Sequence, residues 1–557
     1  MSAYVEQIDG APGAGKTYQL RQRLEREAAD DLALADFYWL NFTNSGREDV
    51  EPEIRETFAG SDAAGETDPS DRAKTFHGLA LSLVIRDGAV DPDVFDEQII
   101  QQNGNNGDVD PFADFCRRRA LEYDPNESDA KKLLSGVDQT KHTGNTLFAI
   151  NDYLTATYKP PEKWRHAGLT TRIPNGRVPD LLEAWDEYKR HPPEKDFRLF
   201  EHGDYIEYAA DRALTPPVDV LFIDEFQDLA PAEYRLFKLW RDHGPVDRMY
   251  IAGDPNQAIY SFRGATPYYF QNTDTDDVAE LTDSRRCPEH IAAAAGAVLE
   301  AHADTDPRGF TGFDAGGVVR WPTFTDKTAL RDAAIEATDR YQSEPSVLFL
   351  TRTNRQLYQL RRDLQDVGIP FEVLGRKRGV WGDDDLADML EVLNGLDAGA
   401  GSFDADAVRT LRDALTDRLD YAKTFGEVAL GEDVRELFAG YQSPDAIAAR
   451  VDVTDYKREA LRNALRATAA IAPGEVQVGT IHTAKGLEAP AVYLFTASTD
   501  RIVSSYERQP EKAAEEHRVY YVGASRASEE LHLVDDYFRG PLAPPLKQAR
   551  HRLEVVA

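Results

Sequence analysis

The sequence predicts an α/β protein of two halves, each a parallel sheet flanked by helices and each interrupted by a mostly helical insertion. Three observations carry this. A strand-like run, Tyr4 to Ile8, meets a glycine-rich turn and then a helical pattern from Thr17 to about Ala29, with Leu20 and Leu24 on one face. A wholly apolar run, Val220 to Ile223, ends in two acids, as a strand buried on both faces of a parallel sheet would. The strand and helix alternation also starts afresh near Leu281 and resumes at Val476, after long polar stretches.

At 557 residues the chain exceeds one ordinary core, and 41% hydrophobic residues suffice to fill several. The predicted organisation is a first half of 1–92 and 205–275 around an insertion at 93–204. A second half of 276–375 and 472–545 encloses a short insertion at 376–471, and a tail follows at 546–557. No run of about 18 apolar residues is present, and the chain begins without a basic or apolar leader, so the expectation is a cytoplasmic protein that meets no membrane. Two cysteines, Cys116 and Cys287, are too few for a disulfide framework and read as packing residues.

The formal charge is −34, with 98 Asp and Glu against 64 Lys and Arg. Such a surface repels nucleic-acid phosphates at ordinary salt. Lysine is sparse relative to arginine and the acids are spread through the chain, a pattern resembling proteins of salt-loving organisms. At 1 M salt the Debye length is only about 3 Å, which erases repulsion beyond direct contact. An acidic protein with a basic partner is the other reading.

In chain order, the first chemistry is Gly10-Ala11-Pro12-Gly13-Ala14-Gly15-Lys16-Thr17. A glycine, four residues, then Gly-Lys-Thr is the phosphate loop (P-loop): amides wrap a phosphate at a helix N-terminus, Lys16 reaches the outer phosphates, and Thr17 offers a hydroxyl to Mg²⁺. Phe42-Thr43-Asn44 follows an aromatic strand, and Phe42 is either a stacking face for a base or a core residue. Thr75-Phe76-His77 opens an apolar helix, where His77 is a cap or surface residue on local grounds. The stretch from about 90 to 204 reads as helices between Gly/Asn-rich joints, and Arg117-Arg118-Arg119 in it as a solvated face or a phosphate contact.

Asp224-Glu225-Phe226-Gln227-Asp228 then places carboxylates at a strand's C-terminal edge, where ligands bind in open α/β sheets. Asp224 is suited to Mg²⁺ and Glu225 to polarising a water. Gly253-Asp254 leads through Gln257, an amide able to sense a γ-phosphate, to Tyr260 and Phe262. Later come Arg286, Arg352, His482, Lys485-Gly486-Leu487-Glu488 and Tyr521-Val522-Gly523-Ala524-Ser525-Arg526; Arg526 lies just past an apolar face, as an arginine finger would.

Taken in order, these stretches resemble the superfamily 1 helicases of the UvrD/Rep/PcrA type and span nearly the whole chain. The resemblance implies two RecA-like P-loop NTPase domains with ATP and Mg²⁺ as cofactors, and 3′ to 5′ movement on single-stranded DNA with duplex unwinding in repair or replication. It implies Gly10, Ala11, Gly13, Ala14, Gly15, Lys16, Thr17 and Glu488 around the nucleotide, with Thr17 and Asp224 on the metal. Lys16, Asp224, Glu225, Gln257, Arg286 and Arg526 would drive hydrolysis. Phe42, Thr43, Asn44, His77, Tyr260, Phe262, Arg352 and His482 would face DNA or a single-strand/duplex junction, on a protein acting as a monomer. The sequence departs from the family in having no adenine-reading glutamine well upstream of the loop, in Ser284-Arg285-Arg286 where Asn-Tyr-Arg is usual, and in the short second insertion. A single-strand translocase that strips proteins and a nucleotide-switched scaffold are the competing functions. Stacking on aromatics does not distinguish RNA from DNA.

Overall fold

β1 (Tyr4–Gly10) is the second strand from one edge of a six-stranded sheet, hydrogen-bonded to β5 (Arg248–Gly253) on one side and to β6 (Asp277–Leu281) on the other. With β2 (Phe37–Asn41), β3 (Ala73–Thr75) and β4 (Val220–Ile223) the order is β3-β2-β4-β5-β1-β6, every pair parallel. The structure is a computed structural model that describes residues 2–42, 44–59, 68–102, 110–126, 141–305, 309–314, 316–375, 379–382, 384–416, 419, 424–467 and 471–556. It divides into two units, Met1–Ser284 and Arg285–Ala557.

The first unit is cored on both faces of its sheet. Leu40, Leu79, Leu221, Ile251 and Trp240 fill one side, while Ile8, Leu20, Leu24, Trp39, Phe222 and Ala252 fill the other. This double burial is why β4 reads Val-Leu-Phe-Ile rather than alternating. The unit runs nine residues beyond 275, because β6 pairs with β1 along Glu6↔Asp277 to Gly10↔Leu281.

The insertion at 93–204 has its own core, in which Phe112, Phe115, Phe148 and Trp185 pack with ring centroids 4.9 to 6.2 Å apart. It returns to the sheet through a buried ion cluster. Lys189, 2% exposed, donates to both oxygens of Asp204 at 2.7 Å and lies 2.8 Å from Glu201 Oε2, which also accepts from Trp185 Nε1. Asp204 begins the helix Asp204–Asp211, which packs on the helix Phe76–Arg86, so the cluster pins the insertion where the chain re-enters the first unit.

The second unit holds a sheet of β7 (Val318–Arg320), β8 (Val347–Thr351), β9 (Glu372–Val373), β12 (Val476–Thr480), β13 (Ala489–Phe495) and β14 (Ala527–Val534) in the order β7-β14-β13-β8-β12-β9, all parallel. Within 376–471, helices surround a short antiparallel pair, β10 (Ser402–Asp404) and β11 (Val428–Leu430). This second insertion shares one continuous core with the sheet, running from Phe349 and Leu364 through Leu390 and Leu411 to Leu461. The expected tail is structured: the helix Pro544–Val556 buries Leu546, Ala549 and Leu553 and packs on the helix Glu289–Glu300. Its apolar residues recur at helical spacing, which gives it a face to bury.

Lys189→Ala leaves two buried carboxylates without a counter-charge, so it should lower unfolding stability by about 3–5 kcal/mol in denaturant titration. A loss below about 1 kcal/mol would show that the cluster does not pin the insertion.

Candidate nucleotide and single-strand sites

Because β5 lies between β4 and β1, three strand ends share one edge of the first sheet: Gly10, Asp224 and Asp254 each close or follow a neighbouring strand. Gly13 and Gly15 take positive φ of 68° and 87°, turning the loop so that Gly15 caps the helix Lys16–Ala29. A Cβ on Gly10 would lie 2.5 Å from Lys16 Cγ, so only glycine lets the lysine fold over the loop. The ammonium donates to Gly10 O at 2.9 Å and Ala11 O at 3.3 Å. The loop is braced from β6, since Ala11 N donates to Leu281 O and the buried Ser284 hydroxyl donates to Pro12 O at 2.8 Å.

Thr17 Oγ1 donates to Asp224 Oδ2 at 2.7 Å. A hydroxyl and a carboxylate so placed are hard oxygen donors suited to Mg²⁺. Among the described residues no group of three or more His, Cys, Asp or Glu could hold a metal ion, so these two supply part of a shell that nucleotide phosphates would complete. Burial, then the neighbouring Glu225 carboxylate, pushes the Asp224 pKa up to about 6. A cation at this spot would relieve both costs.

Glu225 stands in the left-handed region, φ 54° and ψ 36°. A second polar chain starts from it. Gln227, fully buried, donates through Nε2 to Glu225, and its Oε1 accepts from Asp254 N at 2.9 Å. Asp254 Oδ2 in turn accepts from Gln257 Nε2 at 2.8 Å. Gly253 makes the approach feasible, because a Cβ there would lie 2.5 Å from Gln227 Oε1. Burial pushes the Asp254 carboxyl up, opposed by Lys16 and Gln257. Sequence reading named Gln257 and missed the connecting roles of Gln227 and Asp254, whose burial nothing in their polar chain neighbourhood signals.

Beyond Gln257 the chain reaches an aromatic patch. Phe42 stacks on Tyr260 at 6.0 Å, Tyr260 meets Phe262 edge-on at 6.0 Å, and Arg263 lies 4.8 Å above the Phe42 ring. Phe42 is half-buried and faces this patch, outside both sheet cores. Phe42, His77 and Arg263 line a small recess of ≈ 50 Å³. Thr43 lies outside the described residues, and Asn44 opens the helix Asn44–Thr57.

The second unit separates its predicted residues onto two edges of its sheet. Arg352 and His482 follow the C-terminal ends of β8 and β12, whereas Glu488 and Arg526 precede the N-terminal ends of β13 and β14. Arg286 is ion-paired with Glu488. Arg526 is buried and donates to Val522 O, Leu487 O and Ser525 Oγ at 2.9, 3.3 and 3.0 Å. Arg352 is engaged by the Glu516 carboxylate, Nε to Oε2 at 3.0 Å, so it enters a largely buried ion pair rather than an open surface. His482 is half-buried in the turn after β12.

The UvrD/REP helicase N-terminal domain matches residues 5–277, and the UvrD-like helicase C-terminal domain matches residues 415–535. The chain belongs to the UvrD-type helicase family. Among its relatives, the ATP-dependent DNA helicase UvrD2 of Mycobacterium bovis is 26% identical over 348 residues, 57% of this chain and 47% of that protein. The ATP-dependent DNA helicase PcrA of Leuconostoc citreum is 21% identical over 639 aligned positions, 96% of this chain and 80% of the relative. This family member thus spans about half the length of the UvrD2 relative it matches. No helix among the described residues is long and apolar enough to cross a membrane.

A left-handed backbone costs a non-glycine residue roughly 1–2 kcal/mol. In denaturant unfolding, Glu225→Gly should therefore exceed Glu225→Ala in stability by about that amount, although both lose the carboxylate. Equal stabilities would mean that Glu225 carries no backbone strain.

Proposed function

We propose that this chain is an ATP-driven motor on single-stranded DNA, moving 3′ to 5′ and separating duplex ahead of it during repair or replication. The observation that carries the reading is the hydrogen-bonded route from the Thr17–Asp224 pair and Glu225, through Gln227 and Asp254, to Gln257, from which the chain itself leads within five residues to the rings of Tyr260 and Phe262. A change at the nucleotide phosphate has a short covalent and hydrogen-bonded path to the strand-facing rings.

In this reading the loop amides and Lys16 bind and orient the triphosphate, and Thr17 and Asp224 hold Mg²⁺, which supplies charge neutralisation at the phosphates. Glu225 accepts the proton of the attacking water, and Gln257 hydrogen-bonds the outer phosphate. Arg286 and Arg526 neutralise the leaving phosphate's charge once they exchange their present carboxylate, carbonyl and hydroxyl partners for phosphate oxygens. Glu488, paired with Arg286, is freed by the same exchange to meet the nucleotide sugar. Phe42, His77, Tyr260, Phe262 and His482 would each meet the strand, with Arg352 acting through Glu516. The protein works as a cytoplasmic monomer at molar salt, where stacking at about 1–3 kcal/mol per base outlasts phosphate attraction.

The family's names concern helicases, yet the second insertion shares its core with its sheet. An insertion so anchored favours, as a second reading, a translocase that moves on a single strand with little duplex separation.

Phosphate release from Mg-ATP should rise at least tenfold with single-stranded oligonucleotide and increase from 0.1 toward 2 M KCl as a rough range. Lys16→Ala should abolish it, and Glu225→Gln should lower kcat by about 10²–10⁴ with little change in KM. Turnover indifferent to the oligonucleotide would contradict the motor reading. Displacement of a tailed duplex separates helicase from translocase.

A further inference from the structure

His77 lines the recess beside Phe42, and it is paired there with His202, a side chain that no motif carries. His77 lies in the first turn of the helix Phe76–Arg86, and His202 lies two residues before the helix Asp204–Asp211. Their rings lie face to face, centroids 4.1 Å apart and 4° from parallel. The outer ring, His202, is exposed, and Tyr205 meets it edge-on at 5.7 Å. Behind the inner ring, His77 Nδ1 lies 3.3 Å from Oε1 of Glu233. That carboxylate is 3% exposed, and its other oxygen accepts from Ala230 N at 2.8 Å.

We propose that this imidazole pair makes single-strand binding proton-linked: one ring takes up a proton as the strand seats, and the imidazolium is shared between buried Glu233 and a backbone phosphate. The inference rests on the reading of this recess as part of the single-strand path. Two imidazolium rings at such a separation repel, so the pair takes one proton rather than two.

Of the charged groups around the pair, Glu233 and Asp228 favour the cation, Glu201 and Asp204 beside His202 are offset by Lys189, Arg263 opposes it, and burial keeps Tyr205 neutral. Burial pushes the Glu233 carboxyl up against the opposing influence of Arg263, so a proton on the adjacent ring would relieve a cost already present. An unperturbed imidazole titrates near about pH 6.5. Lowering pH through that range adds positive charge to the path, and binding therefore tightens as pH falls.

The test is fluorescence anisotropy of a labelled oligo(dT), whose bases do not titrate here, with the full chain at fixed KCl from pH 6 to 8. The wild-type chain should bind about threefold to tenfold more tightly at pH 6 than at pH 8. His202→Phe keeps an aromatic ring on His77 but removes one of the two imidazoles that share the proton, and its profile should be clearly shallower than that of the wild-type chain. Glu233→Gln retains an acceptor for Ala230 N, removes the counter-charge, and should flatten the profile as well. A flat wild-type profile, or an undiminished slope in His202→Phe, overturns the proposal. A folded wild-type chain that binds no oligonucleotide at any pH overturns the single-strand reading of the recess itself.

Discussion

Gln227 is the side chain on which the nucleotide half of the molecule depends. It is buried with both ends of its amide committed, one to the carboxylate of Glu225 and one to the backbone of Asp254. An amide without partners in that position would forfeit about 1–3 kcal/mol, so the arrangement is nearly all or none. Gly253 is the corollary: the strand end must lack a Cβ for the amide to pass. Everything else at this edge follows from strand order, because a parallel sheet with β5 between β1 and β4 brings a loop, an acid pair and a sensing amide together without further instruction.

The same edge concentrates strain and buried charge. Glu225 holds a left-handed backbone, while Asp224 and Asp254 are buried carboxyls with raised pKa values. Such costs are tolerated where the surrounding core over-determines the geometry, and here both faces of the sheet are filled. The insertion at 93–204 follows a different principle. Its aromatic core is self-contained, and its attachment relies on Lys189 between Glu201 and Asp204, a buried cluster that specifies one docking geometry rather than adding much net stability.

Much of this was legible in the chain. The phosphate loop, the apolar strand ending in Asp224 and Glu225, and the two parallel sheets follow from spacing and from runs without alternation. The relay through Gln227 was not, because burial turns a polar turn residue into a connector and burial is a tertiary property. His202 carried no signal, since its partner His77 is far away in sequence. The boundary after Ser284 and the packed C-terminal helix escaped because edge pairing by β6 and a short amphipathic segment look like linker and tail when read alone. The partner of Arg352, Glu516, is 164 positions away in the chain, so the ion pair has no local signal.

The central claim is that Glu225 and Gln257 act as one unit because Gln227 and Asp254 join them. A double-mutant cycle of Gln227→Leu and Gln257→Ala on single-strand-stimulated ATP hydrolysis measures that coupling directly. The account predicts strong non-additivity, a coupling of about 1–3 kcal/mol, with the double variant little worse than the poorer single one. Losses that simply add would show the two amides working independently and would contradict it.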